Sequence, residues 1–164
     1  MDARNEAELA SRGNLTKVER TSDREVVVTR TFDAPARLVF EAWSNAELFE
    51  RWWVPKSMGM TLHSCEIDVR TGGTYRLDFG DGMVFFGRYL EVTPPTRIVW
   101  TNDEGTDASV TTVTFTETDG QTLLTVAEQY PSKEALDAEG GAADAMYETL
   151  DQLAELLDEL ASQP

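Results

Sequence analysis

The C-terminal stretch constrains this chain most. Met146, Leu150, Leu153, Leu157 and Leu160 recur at spacings of four and three, the period of a helix with one apolar face. Glu148, Asp151, Glu155, Asp158 and Glu159 fall on the other side. Such a helix must lie on something apolar. A coiled-coil dimer is one way to supply that surface, but the seam spans barely two heptads, and the rest of the chain is expected to provide it.

What precedes the helix is mostly β. "REVVVTRTF" is rich in β-branched residues and reads as a strand. Residues 62–70, "TYRLDF", residues 83–93, "TRIVWTN", "SVTTVTFTET" and "QTLLTVAEQY" read as further strands. Gly72-Gly73, Asp81-Gly82 and Asp119-Gly120 are turn signals, and Pro94-Pro95 break the chain between two strands. The connections are short, so the strands are expected to be antiparallel. Between the first strand and the rest, Asp33 is a good N-cap and Pro35 suits a first turn. They introduce the helix "PARLVFEAW", with Val39 and Trp43 on one face. Asn45 can cap a second short helix over 46–53. Ser132 can cap a short helical segment to about residue 138, interrupted by Gly140-Gly141. Residues 1–22 lack periodicity and read as a flexible tail or a short frayed helix. Residues 23–162 read as one domain, which suits a chain of 164 residues. The expectation is an α+β fold: about seven antiparallel strands curled round the long terminal helix, with two short helices after the first strand. A curled sheet held apart by one helix need not be filled completely, so a cavity between them is geometrically open.

Charge and cysteine content remove several function classes. The formal net charge is −16. Residues 131–164 hold nine acids against the single Lys133 and supply half of it. Phosphate-backbone binding needs basic patches, so nucleic acid is not an expected partner, nor is an anionic membrane surface. No apolar run is long enough to span a bilayer, and the N-terminus lacks the apolar stretch of a secretory signal. The lone Cys65 cannot form an internal disulfide, which favours a reducing compartment and a cytoplasmic location.

Few residues could carry chemistry. In "AELFERWW", Leu48, Phe49, Trp52 and Trp53 make one wide apolar stripe on a 3.6-residue turn. Core packing explains the direction of that stripe; a cavity wall also explains its bulk. His63 and Cys65 share a strand face with Ile67 and Val69, as interior residues or as polar contacts of a cavity. Nothing near Cys65 in sequence lowers its thiol pKa, and one His with one Cys is too little for zinc. Glu128 shares parity with Leu124 and Val126 and should point inward, where a carboxylate needs a partner. It either frays toward solvent, or orients a ligand or serves as a general base. Glu66, Asp68 and Arg70 lie on the opposite face from Cys65; paired carboxylates suggest glycosidase chemistry, but i, i+2 neighbours on a sheet are expected to be solvated, with Arg70 or Arg76 as partner to the acids. No phosphate-loop, dinucleotide, nucleophile-elbow or zinc-helix motif occurs.

The order of "FDAPARLVFEAWSNAELFERWW", "DVRTGGTYR", "GRYLEVTPPTRIVWT", "LLTVAEQY" and "LDQLAELL" resembles the SRPBCC superfamily. This is the START-like, helix-grip architecture shared with the birch-pollen allergen. Within it the chain is similar to the branch named for the activator of heat-shock protein 90 ATPase, over about residues 24–160. The resemblance implies an apolar cavity between sheet and terminal helix. Its expected lining is Trp52, Trp53, His63, Cys65, Tyr75 and Phe86, together with Trp100, Phe115, Glu128, Met146 and Leu150. Relatives often carry Gly-Trp where this chain has Ala145-Met146, so open volume facing Trp52 or Trp53 is expected there. The expected function is binding of an apolar or amphipathic small molecule, without catalysis, metal or cofactor, by a monomer or weak dimer. The alternative is a chaperone-regulating module. Eukaryotic activators dock with a separate N-terminal domain as well, and only a short tail stands there, so this chain alone is expected not to raise the chaperone's ATPase rate. The third reading is a cavity enzyme of cyclase or hydrolase type.

Overall fold

The computed structural model describes residues 16–59, 61–102, 109–139 and 145–162. Its elements run β1 (Lys17–Arg20), β2 (Glu25–Phe32), α1 (Ala36–Ser44), α2 (Ala46–Trp52), a 3₁₀ turn (Lys56–Met58), β3 (Ser64–Ile67), β4 (Thr74–Asp78), β5 (Val84–Thr93), β6 (Arg97–Asn102), β7 (Val110–Thr118), β8 (Gln121–Gln129), α3 (Lys133–Glu139) and α4 (Ala145–Ala161). All strands join one antiparallel sheet in the order β1-β2-β8-β7-β6-β5-β4-β3. The α+β helix-grip expectation holds, with eight strands rather than seven. The extra one is β1, inside the stretch expected to be a tail. It pairs Lys17 with Thr29 through Arg20 with Val26. Its side chains are mostly exposed, so it has no clear apolar alternation, and backbone hydrogen bonds hold it. The expected tail over 1–15 and the Gly140-Gly141 interruption lie outside the described residues.

Local chemistry explains the turns. Asp81-Gly82 and Asp119-Gly120 each adopt positive φ at both positions (55° and 80°, 54° and 79°), the backbone of a two-residue hairpin turn. Asn45 caps α2 as expected, its side-chain oxygen accepting from the Glu47 and Leu48 amides at 3.0 and 3.3 Å. Ser132 caps α3 through the Ala135 amide. Asp33 does not cap α1. Pro35 occupies the N-cap position, and the free amide of Ala36 donates to Glu117 of β7 at 2.7 Å. A strand carboxylate thus replaces the local cap and ties α1 to the sheet.

The core lies between the sheet's inner face and the helices. Leu150, Leu153, Leu156 and Leu157 of α4 are buried against it, each worth about 1.5–3 kcal/mol of burial. The acids of α4 are not uniformly solvated, contrary to the sequence reading. Asp151 accepts from Arg30 of β2, whose side chain is 4% exposed, and Glu159 pairs with Arg51 of α2. Glu148 accepts from the Ser57 amide and hydroxyl at 2.9 and 2.5 Å. This bonding holds its carboxyl below the usual carboxylate range.

Candidate functional site

The short segment after α2 is fastened to α4. The Gln152 amide donates to the carbonyls of Trp52 and Val54 at 3.0 and 2.9 Å and accepts from the Lys56 amide at 2.9 Å. With Glu148 on Ser57, this holds residues 52–58 as a rim. Beneath the rim, between sheet and α4, lies a pocket of about 360 Å³. Its floor is Val26 and Val28 of β2, Ile98 and Trp100 of β6, and Val126 and Glu128 of β8. Trp43 of α1 and Phe49 of α2 close one side, with Trp53, Val54 and Pro55 of the rim. Tyr75 and Leu77 of β4 and Phe85 and Tyr89 of β5 form another wall. Ala145, Met146 and Thr149 of α4 also line it. Met58, Met83 and Phe85 line the pocket yet are 58%, 47% and 38% exposed, which places the mouth between the 3₁₀ turn and the β4–β5 hairpin.

Tyr75 owes its place to a glycine. Its hydroxyl donates to the Thr101 carbonyl at 3.2 Å. A Cβ on Gly87 would sit 1.8 Å from that carbonyl oxygen and 2.8 Å from the Tyr75 hydroxyl, so any larger residue would push the strand or the tyrosine aside. Glu128 follows Leu124 and Val126 onto the inner face of β8. The Tyr130 hydroxyl donates to its Oε2 at 2.6 Å. It is the only charged residue among the described lining residues. Trp43 is 2% exposed, and its indole N–H has no acceptor. That ring lies 5.8 Å from those of both Trp53 and Trp100.

The structure brings Trp53, Tyr75, Trp100, Glu128 and Met146 together on the pocket. It separates the others. The adjacent tryptophans divide: Trp53 lines the pocket, while Trp52 is fully buried behind it, its indole N–H donating to the Ala42 carbonyl at 2.9 Å. Phe115 and Leu150 are likewise core, Phe115 packing edge-on against Phe40 at 5.4 Å. Phe86 points outward and is 44% exposed; its neighbour Phe85 takes the inward position with Gly87 and Tyr89. His63 precedes β3, is exposed, and stands over Gly80 of the turn. Cys65 is half-buried and outside the lining. Burial, with the Glu50 charge added, pushes its thiol up to about 11, so it carries no thiolate at neutral pH. Asp68 and Arg70 form an exposed pair at 2.8 Å, and Glu66 sits opposite Arg76. The sequence reading missed Trp43, Phe49, Phe85 and Tyr89 as wall residues. The charged Arg88 shares strand parity with Phe86, and that signal excludes Phe86 and selects Phe85 and Tyr89. Among the described residues no cluster of His, Cys, Asp and Glu could hold a metal, and no helix is long and apolar enough to cross a membrane.

A curled antiparallel sheet gripping a terminal helix defines the helix-grip class. Solved structures share it. A protein from Rhodobacter sphaeroides is 22% identical, with a TM-score of 0.77, covering 88% of this chain and 99% of that one. One from Nitrosomonas europaea is 23% identical, with a TM-score of 0.75 and coverage of 88% and 100%. One from Mycobacterium smegmatis is 26% identical, with a TM-score of 0.72 and coverage of 88% and 98%. The family model described as Activator of Hsp90 ATPase homolog 1-like protein matches residues 33–158, and the chain belongs to that family. No curated protein matches it.

Proposed function

We propose that this protein binds an apolar or amphipathic small molecule in the pocket between sheet and α4. The observation that carries the reading is the pocket itself, walled by Trp43, Trp53, Trp100, Tyr75 and Tyr89. The volume of about 360 Å³ falls in the range of small-molecule sites. Binding is favoured over turnover because the exposed His63 and the protonated Cys65 both stand outside the lining. Titration with a neutral solvatochromic dye, Nile red, tests the proposal. Saturable one-to-one binding, with quenching of tryptophan emission, is the expected result. A linear, unsaturated response would end it.

The second reading is regulation of a heat-shock protein 90 chaperone, favoured by the family match over residues 33–158. A saturable several-fold rise in the chaperone's ATPase rate on adding this chain would place that reading first.

A further inference from the structure

Methionine is among the residues most often buried, yet two methionines stand in the open at the pocket mouth. Met58 of the 3₁₀ turn is 58% exposed, and Met83 of the β4–β5 hairpin is 47% exposed. Both line the pocket, one from each side of the mouth. Each sits on an anchored piece of backbone. Glu148 holds the turn through Ser57. The hairpin is closed by the Phe79 amide donating to the Met83 carbonyl at 2.9 Å and the Met83 amide to the Gly80 carbonyl at 3.0 Å. Phe79 and Phe85 of the same hairpin meet edge-on at 5.5 Å, and both line the pocket. A third methionine, Met146, lines it from α4 and is half-buried. Among the described lining residues, these thioethers are the groups that a mild two-electron oxidant converts directly.

We propose that Met58 and Met83 form an oxidation-sensitive entrance: conversion of their thioethers to sulfoxides weakens binding of an apolar ligand and leaves the fold intact. In the step, each thioether sulfur gives two electrons to hydrogen peroxide. The O–O bond breaks, one oxygen forms the S=O bond, and the other leaves as water with both hydrogens. A sulfoxide is polar where the thioether was apolar. At exposed positions water satisfies it, so folding is little affected. An apolar molecule entering between the two residues must displace that water, and stripping a polar group of its hydrogen bonds is costly. Cys65 does not compete for the oxidant. It stands outside the lining, and its thiol is pushed up to about 11, whereas the thiolate is the reactive form. The inference rests on the binding function proposed above and adds to it a modification site that regulates the same pocket.

The test treats the purified protein with hydrogen peroxide and removes the excess with catalase. Peptide mass mapping then reads the sites, Nile red titration the affinity and urea unfolding the stability. Met58 and Met83 are expected to gain one oxygen each before Met146 does. Dye affinity should fall about tenfold as they do, with the urea midpoint unchanged, and methionine sulfoxide reductases should restore it. Met58→Leu combined with Met83→Leu should bind the dye about as tightly as the wild-type protein, because the swap conserves volume, and should keep that affinity after peroxide. Undiminished affinity with both methionines oxidised, or an equal loss in the double variant, overturns the proposal while leaving the pocket a binding site. Failure of the dye to bind the untreated protein overturns both. If the double variant does not fold, the reductase decides on the wild-type protein: affinity regained at an unchanged urea midpoint supports the proposal, and affinity that stays lost contradicts it.

Discussion

Arg30 and Asp151 show how one pair changes the meaning of a helix face. The Arg30 guanidinium is buried, donates to Thr16 at 3.1 Å and to Asp151, and lies 5.4 Å from the Phe32 ring centroid. Its Nε has no partner. Removing Asp151 would leave a buried positive charge with only a hydroxyl acceptor. Breaking a fully buried pair costs about 3–5 kcal/mol; Asp151 is itself 41% exposed, so Asp151→Ala is expected to cost about 2–3 kcal/mol in urea unfolding. Glu155→Gln, on the same helix and exposed, should change stability by less than about 0.5 kcal/mol. Equal, negligible effects of the two substitutions would return α4 to a uniformly solvated acidic face. The sequence could not reveal this pair. Arg30 alternates with Val26 and Val28 on β2 and so has inward parity, but its partner lies 121 residues away.

At the scale of elements, the periodic ones were legible and the irregular ones were not. The four-and-three spacing located α4, and the two Asp-Gly pairs located hairpins whose backbone angles require them. β1 escaped because its side chains do not alternate. The cap of α1 escaped because Glu117 reaches it from another strand. The expected strand over 62–70 shrank to Ser64–Ile67, which took His63 off the regular pleat. Beyond Trp53 the rim has no periodic signature; Gln152 and Glu148 of α4 fasten it. Gln152→Ala would leave two buried or half-buried carbonyls and one amide without partners. A cost of about 1–3 kcal/mol is expected, together with faster amide hydrogen exchange at Lys56 than at the core of β8. Unchanged stability and exchange would mean that the rim is held by something other than this side chain.

At the scale of the whole molecule, one antiparallel sheet packs on α4, and a pocket lies between them. The adjacent tryptophans divide along that boundary, Trp52 into the packed core and Trp53 into the open part. Met146 lines the pocket with Trp53, so of the two tryptophans expected to face that volume it is Trp53. The central claim is that this volume is available to a ligand and is not close-packed core. Met146→Trp, compared with the wild-type protein by urea unfolding and Nile red titration, tests it most directly. If the space is open, the larger side chain should enter it with a change of less than about 1 kcal/mol and should weaken dye binding severalfold. Destabilisation of about 1–3 kcal/mol from overpacking, with dye binding unchanged, would contradict the account.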